Sequence, residues 1–219
     1  MNSLDDKASN FFIVISAPSG TGKTTMYRNL LASDRGLKFS VSCTTRPARP
    51  GEVDGKDYYF ISDQSFREMI ARGEFVEWVE HFGYLYGTTR KTIESCLARG
   101  CNLVIDVEHR GARKIKETYS DGVFVFVLPP SLSELKKRLV KRGFDSETAI
   151  RERLNKAYEE IKEAVWYDYV IFNDRLDGAI EHLRAIYLAE KSRRERQWQR
   201  ISDFLIDACE ETVSEAKNK

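Results

Sequence analysis

The sequence is poor in the residues that build metal sites and disulfide scaffolds. Only three histidines are present, and none of the four cysteines lies in a C-x-x-C pair. Neither a structural zinc site nor a disulfide framework is therefore expected, and unpaired thiols are typical of a reducing compartment. A cytoplasmic location is the prediction that follows.

Long apolar runs are also missing. No stretch approaches the roughly 18 apolar residues that a transmembrane helix needs. Residues 1–10 are mostly polar and carry no apolar signal core. We therefore expect no membrane partner, and we expect residues 1–10 to form a disordered N-terminal tail.

An excess of charge of one sign is the third absence. Lysine and arginine number 35 and aspartate and glutamate 34, which leaves a formal net charge of +1. Proteins that bind nucleic acids electrostatically are usually more basic, so no nucleic-acid partner is expected. Any attraction for an anion must come from local clusters of basic side chains.

Short apolar runs alternate with helical patterns along most of the chain. The runs lie at Phe11–Ile15, Cys101–Asp106, Val123–Leu128 and Tyr169–Phe172. Runs of this length and composition are typical of strands buried on both faces. Between the last two runs, Ser131 followed by Glu134 predicts the start of a helix. The alternation predicts an α/β fold with a parallel sheet flanked by helices.

Two regions depart from this alternation. Residues 42–88 are rich in aromatic and turn residues, which predicts a small, mostly β insertion that holds a substrate. This insertion would lie between two core segments, residues 11–41 and 89–191. Residues 192–219 predict a C-terminal helical extension with an apolar face that includes Phe204 and Leu205. That face either packs on the core of its own chain or forms a subunit contact, which would make the protein a homo-oligomer.

The strongest motif follows the first apolar run. It consists of Ala17, Pro18, Ser19, Gly20, Thr21, Gly22, Lys23 and Thr24. Apart from Ala17 in place of the first glycine, it matches the phosphate-binding pattern G-x-x-x-x-G-K-[ST] between a strand and a helix. The motif predicts ATP binding, with Lys23 at the β- and γ-phosphates and the Thr24 hydroxyl on Mg²⁺. A glycine-rich turn without a ligand is the alternative.

The insertion contains two candidate recognition groups. Arg46 and Arg49 lie in a segment stiffened by two prolines, and forked guanidinium groups there suit a phosphate clamp. A solvated basic turn is the alternative. Glu77 lies in an aromatic, apolar stretch, and one carboxylate can accept from both N1–H and N2–H of guanine. The alternative for Glu77 is an outward-facing strand position.

Two longer strings make the chain resemble the guanylate kinases over roughly residues 11–190. The string S-x-x-T-R-x-x-R-x-G-E-x-x-G-x-D-Y is met by Ser42, Thr45, Arg46, Arg49, Gly51, Glu52, Gly55, Asp57 and Tyr58. The string E-W-x(7)-Y-G-T is met by Glu77, Trp78, Tyr86, Gly87 and Thr88. The resemblance implies transfer of the γ-phosphoryl group of ATP to GMP or dGMP, in purine nucleotide metabolism.

The resemblance also implies roles for individual residues. The GMP phosphate is assigned to Arg46, Arg49, Tyr58 and Tyr86, and the guanine to Ser42, Glu77 and Thr88. Asp106 and Glu108 match two acidic positions near GMP, although the family usually has aspartate at the second; Asp106 also suits an indirect contact with Mg²⁺. The catalytic cations would be Lys23 with Arg138, Arg142 and Arg153, the arginines lying on a lid at about residues 138–155.

Two other functions compete with this interpretation. A guanylate-kinase-like scaffold domain without catalysis could keep the GMP clamp, but it would not need the intact Gly22, Lys23 and Thr24. A different P-loop kinase, such as one acting on a phosphorylated sugar, would not need the guanine-binding set. Both interpretations predict that GMP is not a preferred phosphoryl acceptor.

Overall fold

The computed structural model describes residues 10–81, 83–141 and 147–217, with the backbone alone for Glu147 and residues 209–217. The strands are β1 (Phe12–Ser16), β2 (Leu37–Phe39), β3 (Cys43–Thr44), β4 (Tyr59–Phe60), β5 (Phe75–His81), β6 (Tyr84–Thr89), β7 (Asn102–Asp106), β8 (Val123–Leu128) and β9 (Tyr169–Phe172). The helices are α1 (Lys23–Ser33), α2 (Asp63–Ala71), α3 (Arg90–Ala98), α4 (His109–Thr118), α5 (Leu132–Lys141), α6 (Glu147–Lys162), α7 (Leu176–Lys191) and α8 (Trp198–Lys217).

Five strands form a parallel sheet in the order β2-β7-β1-β8-β9. The central strand β1 is buried along its whole length. Its Ile13 and Ile15 point into one apolar layer with residues of α1 and α7. Its Phe12 and Val14 point into the opposite layer with residues of α3 and α4. The predicted α/β sheet, with all four predicted strands and helices on both faces, is confirmed. Burial of both strand faces was wrong for β9, because it lies at the edge of the sheet and exposes Val170 and Phe172.

The insertion contains a second sheet of four strands in the order β4-β3-β6-β5. The pairs β3–β6 and β5–β6 are antiparallel, and β3–β4 is parallel. The sequence interpretation missed helix α2, which begins where the Ser62 side chain accepts a hydrogen bond from the Ser65 amide. The ring of Phe66 on α2 stacks on Phe75 of β5 at 4.3 Å, so this helix covers one face of the small sheet.

Helices α5 and α6 form a hairpin with its own small apolar core, made by Leu135, Leu139, Ile150 and Ala157. The predicted cap of α5 is present, because the Glu134 amide donates to Ser131 Oγ at 3.1 Å. The Glu134 carboxylate instead lies near the Arg138 guanidinium at 3.4 Å. Residues 142–146, which belong to the predicted lid and include Arg142, lie outside the described residues.

The C-terminal helix α8 leaves apolar side chains on the surface. Phe204 is 72% exposed and Leu205 is 54% exposed. The interpretation in which this helix packs on the core of its own chain is therefore wrong for these two side chains. Of the described helices, none is both long enough and apolar enough to cross a membrane. Residues 1–9 of the predicted tail lie outside the described residues.

Candidate active site

The phosphate-binding motif forms the turn between β1 and α1, at the carboxyl edge of the large sheet. Ligands of open α/β sheets usually bind at this edge. Gly20 and Gly22 have φ angles of +95° and +93°, which side chains rarely adopt. The turn is held from inside, where Thr21 Oγ1 donates to the Pro18 carbonyl at 2.9 Å. The loop thus has the curled backbone that a phosphate site requires.

Asn173, which directly follows β9, supports the same turn and was missed by the sequence analysis. Its Nδ2 donates to the Thr21 carbonyl at 2.6 Å, and its side chain is buried. Its carbonyl accepts from Arg138 Nη2 at 3.2 Å. Asn173 therefore connects the phosphate loop to the α5–α6 hairpin. Only its position after a parallel strand could have indicated this role.

Lys23 is the first residue of α1, and its ammonium group forms an ion pair with Asp106 at the end of β7. Both side chains are about one-fifth exposed. The Thr24 hydroxyl acts on the Tyr27 hydroxyl of the same helix and lowers its pKa, although burial outweighs this effect and the net pKa is raised. The donor lysine, a hydroxyl and a carboxylate thus meet at the N-terminus of α1, which is suited to phosphate binding.

The oxygen atoms at this position fit Mg²⁺ bound together with a nucleotide. Among the described residues, no three His, Cys, Asp or Glu side chains are grouped as a metal site. Mg²⁺ usually takes one or two protein oxygens and fills its remaining positions with phosphate oxygens and water. The Thr24 hydroxyl and the Asp106 carboxylate are oxygen ligands of this kind.

The two arginines of the predicted clamp have different environments. Arg46 is only 8% exposed, and its guanidinium donates to Glu52 Oε1 at 2.8 Å and to the Pro47 carbonyl at 2.7 Å. Arg49 has an exposed side chain, and its backbone amide donates to Glu52 Oε2 at 2.7 Å. The alternative of a solvated turn is therefore excluded for Arg46, while Arg49 remains at the surface.

Two tyrosines complete this cluster. The Arg46 guanidinium lies 5.5 Å from the centre of the Tyr58 ring, and the rings of Tyr58 and Tyr86 meet edge to face at 6.0 Å. Burial, reinforced by the charge of Asp106, raises the pKa of Tyr58 to about 12. Tyr58 therefore stays protonated and can donate its hydroxyl hydrogen to an anion.

The predicted guanine set also comes together. Glu77 of β5 is 3% exposed and lies opposite Thr88 of β6 in the sheet register. Ser42 Oγ lies 3.3 Å from Thr88 Oγ1. Burial raises the pKa of Glu77 to about 7, although hydrogen bonds from Thr88 and the charge of Lys114 oppose this rise. The alternative of an outward-facing Glu77 is excluded.

Glu108 is held differently from Asp106. It precedes α4, but its carboxylate accepts from Lys156 Nζ of α6 at 3.1 Å and lies 3.4 Å from His81 Nδ1 of β5. Burial raises the pKa of Glu108, but Lys156 and His81 outweigh burial and the net pKa is lowered. Glu108 is therefore an anion that connects the start of α4 with α6 and β5. Sequence reasoning did not find His81 or Lys156, because no motif connects them.

The two described arginines of the predicted lid have different surroundings. Arg138 on α5 lies beside the phosphate loop through its bond to Asn173. Arg153 on α6 is partly buried. Arg142 lies outside the described residues.

Gly111, in the first turn of α4, was also missed. An ideal Cβ atom built on it would lie 2.6 Å from Glu77 Oε2, so the carboxylate is in close contact with the backbone of α4. A glycine inside a helical pattern was the available signal, since such a residue usually has a packing or functional reason.

Comparison with known proteins gives consistent matches. The family profile described as guanylate kinase matches residues 9–190. The guanylate kinase of Syntrophus aciditrophicus (strain SB) is 54% identical over 205 residues, which cover 94% of this chain and 99% of that protein. The guanylate kinase of Symbiobacterium thermophilum is 47% identical, covering 93% and 97%. A crystal structure of guanylate kinase from Anaplasma phagocytophilum is 32% identical, with a TM-score of 0.69 and coverage of 87% and 90%.

Proposed function

This chain belongs to the guanylate kinase family and phosphorylates GMP with ATP, and we propose that the residues gathered at the carboxyl edge of the large sheet perform this reaction. In the proposal, the core segments 11–41 and 89–191 hold ATP, residues 42–88 hold GMP, and about residues 138–155 act as the lid. A phosphate oxygen of GMP attacks the γ-phosphorus of ATP. The bond from that phosphorus to the β–γ bridging oxygen breaks, which releases ADP.

The donor side is the phosphate loop. We propose that the backbone amides of residues 17–24 surround the ATP phosphates and that Lys23 neutralises their charge. The ion pair between Lys23 and Asp106 supports this role, because it holds the ammonium group at the edge of the sheet.

Magnesium would accompany ATP, held by the Thr24 hydroxyl and, through water, by Asp106. When bound, it supplies charge neutralisation and orientation of the phosphates. The remaining catalytic work of the chain is to position the two nucleotides and to offset their repulsion.

The acceptor side is the insertion. Arg46, Arg49, Tyr58 and Tyr86 would hold the GMP phosphate. The buried position of Arg46 supports this role, since its guanidinium is already oriented by Glu52. The acceptor phosphate is itself an adequate nucleophile near neutral pH, so no strong base is required.

The lid would supply the remaining cations. We propose that Arg138, Arg142 and Arg153 neutralise charge on the transferring group and that closure excludes water. The bond from Arg138 to the Asn173 carbonyl supports this proposal, because Asn173 also contacts the phosphate loop.

Base recognition rests on one observation: a buried carboxylate, Glu77, lies beside the hydroxyls of Thr88 and Ser42. We propose that Glu77 accepts hydrogen bonds from guanine N1–H and N2–H. The hydroxyls of Thr88 and Ser42 would then hydrogen-bond to the remaining polar atoms of the guanine base. A buried carboxylate without such partners is costly. Use of dGMP beside GMP, a cytoplasmic location, and a homo-oligomer formed through residues 192–219 remain predictions.

The test is the ratio of kcat/KM for GMP and AMP in the wild type and in Glu77→Gln. AMP has an acceptor at N1 and no amino group at C2, so it would leave Glu77 unpaired. Sites built on buried hydrogen bonds reject such analogues by roughly 10⁴-fold. We expect a ratio of that order in the wild type. In Glu77→Gln we expect a large loss with GMP and nearly unchanged KM for ATP.

Other outcomes separate the competing functions. Comparable values for GMP and AMP in the wild type would reject the guanine assignment. ATP turnover only with a phosphorylated sugar would identify a different kinase, and binding of GMP without turnover would identify a scaffold domain.

A further inference from the structure

Gly111 lies against the carboxylate that we assign to guanine. A Cβ atom on Gly111 would lie 2.6 Å from Glu77 Oε2 and 3.0 Å from Glu77 Cδ. Real non-bonded carbon atoms approach to about 3.5–4.0 Å. Any side chain at position 111 would therefore displace the Glu77 carboxylate or the helix that carries Gly111.

The backbone of Gly111 does not require glycine. Its φ angle is not among the positive values found at seven other glycines of the described chain. Glycine in a helix is about 1 kcal/mol less favourable than alanine. Local helix stability thus favours alanine at position 111, and the reason for glycine must be the space that it leaves empty.

The Glu77 carboxylate cannot move away freely. It is buried, and it lies opposite Thr88 of β6, whose hydroxyl and amide stabilise its ionised form. It also lies beside the first turn of α4, whose partial positive charge favours an anion. The Glu108 side chain, at the position that precedes the helix, makes no capping hydrogen bond there.

We propose that Gly111 is a positioning residue for guanine recognition, because its missing side chain provides the space in which the Glu77 carboxylate lies against α4. The proposal rests on the assignment of Glu77 to guanine in the proposed function. It adds a specificity determinant on the core, on an element outside the insertion that carries Ser42, Glu77 and Thr88.

The chain contains a matched control. Gly178 is the third residue of helix α7, as Gly111 is of α4, and a Cβ atom there would meet nothing within 4 Å. Both Gly→Ala substitutions therefore bring the same gain in helix propensity. Only the one at position 111 introduces an atom into the space beside Glu77.

The experiment compares Gly111→Ala with Gly178→Ala in steady-state kinetics. A displacement of about 1 Å at a site can cost roughly 100-fold. We expect kcat/KM for GMP to fall about ten- to a hundredfold in Gly111→Ala, mainly through KM. We expect KM for ATP to change less than about twofold, and we expect Gly178→Ala to match the wild type. Equal behaviour of the two variants would overturn the proposal.

A double-mutant cycle with Glu77→Asp tests the physical cause. Aspartate withdraws the carboxylate by one methylene group and so vacates the space that alanine would fill. We expect Gly111→Ala to cost at least about fivefold less in the Glu77→Asp background than in the wild type. Full additivity would overturn the proposal, since it would show that the methyl group acts elsewhere.

Three further outcomes are informative. If Gly111→Ala fails to fold, the proposal requires the double variant to fold as Glu77→Asp does, and an unfolded double variant would reject it. If Glu77→Gln and Glu77→Asp both retain normal use of GMP, the guanine assignment itself fails. A normal Gly111→Ala beside a damaged Glu77→Gln rejects only the inference about Gly111.

Discussion

At the scale of single residues, the site depends on burying charge. Glu77 is only 3% exposed, and this burial raises the pKa of its carboxyl group to about 7. Lys114 and Glu108 are the charged groups that act on it, the first lowering and the second raising the pKa. The fold therefore holds an acceptor for guanine in a position where its ionised form is unfavourable without a ligand.

This burial predicts a pH-dependent stability. The ordinary pKa of glutamate is 4.5, and the folded value is about 7, so the folded chain binds more protons between these values. The free energy of unfolding contributed by Glu77 therefore falls as the pH rises through this window. Relative to Glu77→Gln, the wild type should lose about 2–3 kcal/mol between pH 5 and pH 8. Urea unfolding of both proteins checks this, and a constant difference would contradict it.

At the scale of elements, the turn between β1 and α1 is defined by its neighbours as well as by its glycines. A Cβ atom on Gly22 would lie 2.7 Å from Asn173 Nδ2, the atom that donates to the Thr21 carbonyl. A Cβ atom on Gly20 would meet Leu139 of α5 at 3.2 Å. The turn is thus packed between the residue after β9 and the α5–α6 hairpin.

We expect Gly22→Ala to lose both stability and ATP binding. A left-handed backbone costs a non-glycine residue about 1–2 kcal/mol, and the methyl group would also displace Asn173. Gly73→Ala is the control, because Gly73 has a φ of +66° but nothing within 4 Å of a Cβ atom. Thermal unfolding should show a loss in both variants, whereas KM for ATP should rise only in Gly22→Ala. An unchanged KM for ATP in Gly22→Ala would reject the role of Asn173 in shaping the loop.

At the scale of the whole molecule, a small charged cluster connects three parts of the chain. Lys156 Nζ of α6 lies 3.1 Å from Glu108 Oε1, 3.2 Å from His81 Nδ1 and 3.6 Å from Glu160 Oε1. His81 belongs to the insertion, Glu108 to the core and Lys156 to the hairpin that carries the lid arginines. One ammonium group thus offsets two partly or fully buried carboxylates at the junction of these parts.

Removal of that ammonium group should destabilise the whole chain. Lys156→Met leaves Glu108 and the buried Glu160 without their shared cation, which should cost about 2 kcal/mol. Lys162→Met is the control, because Lys162 lies on the same helix and pairs with Glu159 at an exposed position. The control should stay close to the wild type in stability, as substitutions at exposed positions usually do. Equal denaturant midpoints for the two variants would show that the charged cluster contributes nothing to the stability of the folded chain.

Local patterns were sufficient for much of the fold. Val123–Leu128 and Tyr169–Phe172 occupy the bounds predicted from their apolar runs. The first is buried along its whole length, as expected of a central strand, whereas β9 lies at the edge of the sheet and exposes Val170 and Phe172. Helix α2 was missed although Phe66, Met69 and Ile70 have the i, i+3, i+4 spacing of one helical face, because the aromatic and turn residues around them favoured β structure. The bounds of the insertion and the lid, and the lid role of Arg142, remain predictions.

The sequence by itself determined the phosphate loop and the resemblance to guanylate kinases, because both depend on residue types at short, regular spacing. Only the tertiary structure decided the surroundings of these residues: Gly111 beside Glu77, Asn173 under the loop, and Lys156 between Glu108 and His81. These partners come from elements far apart in the chain. Their contacts are set by packing of helices on a sheet, and short-range periodicity carries no information about such distances.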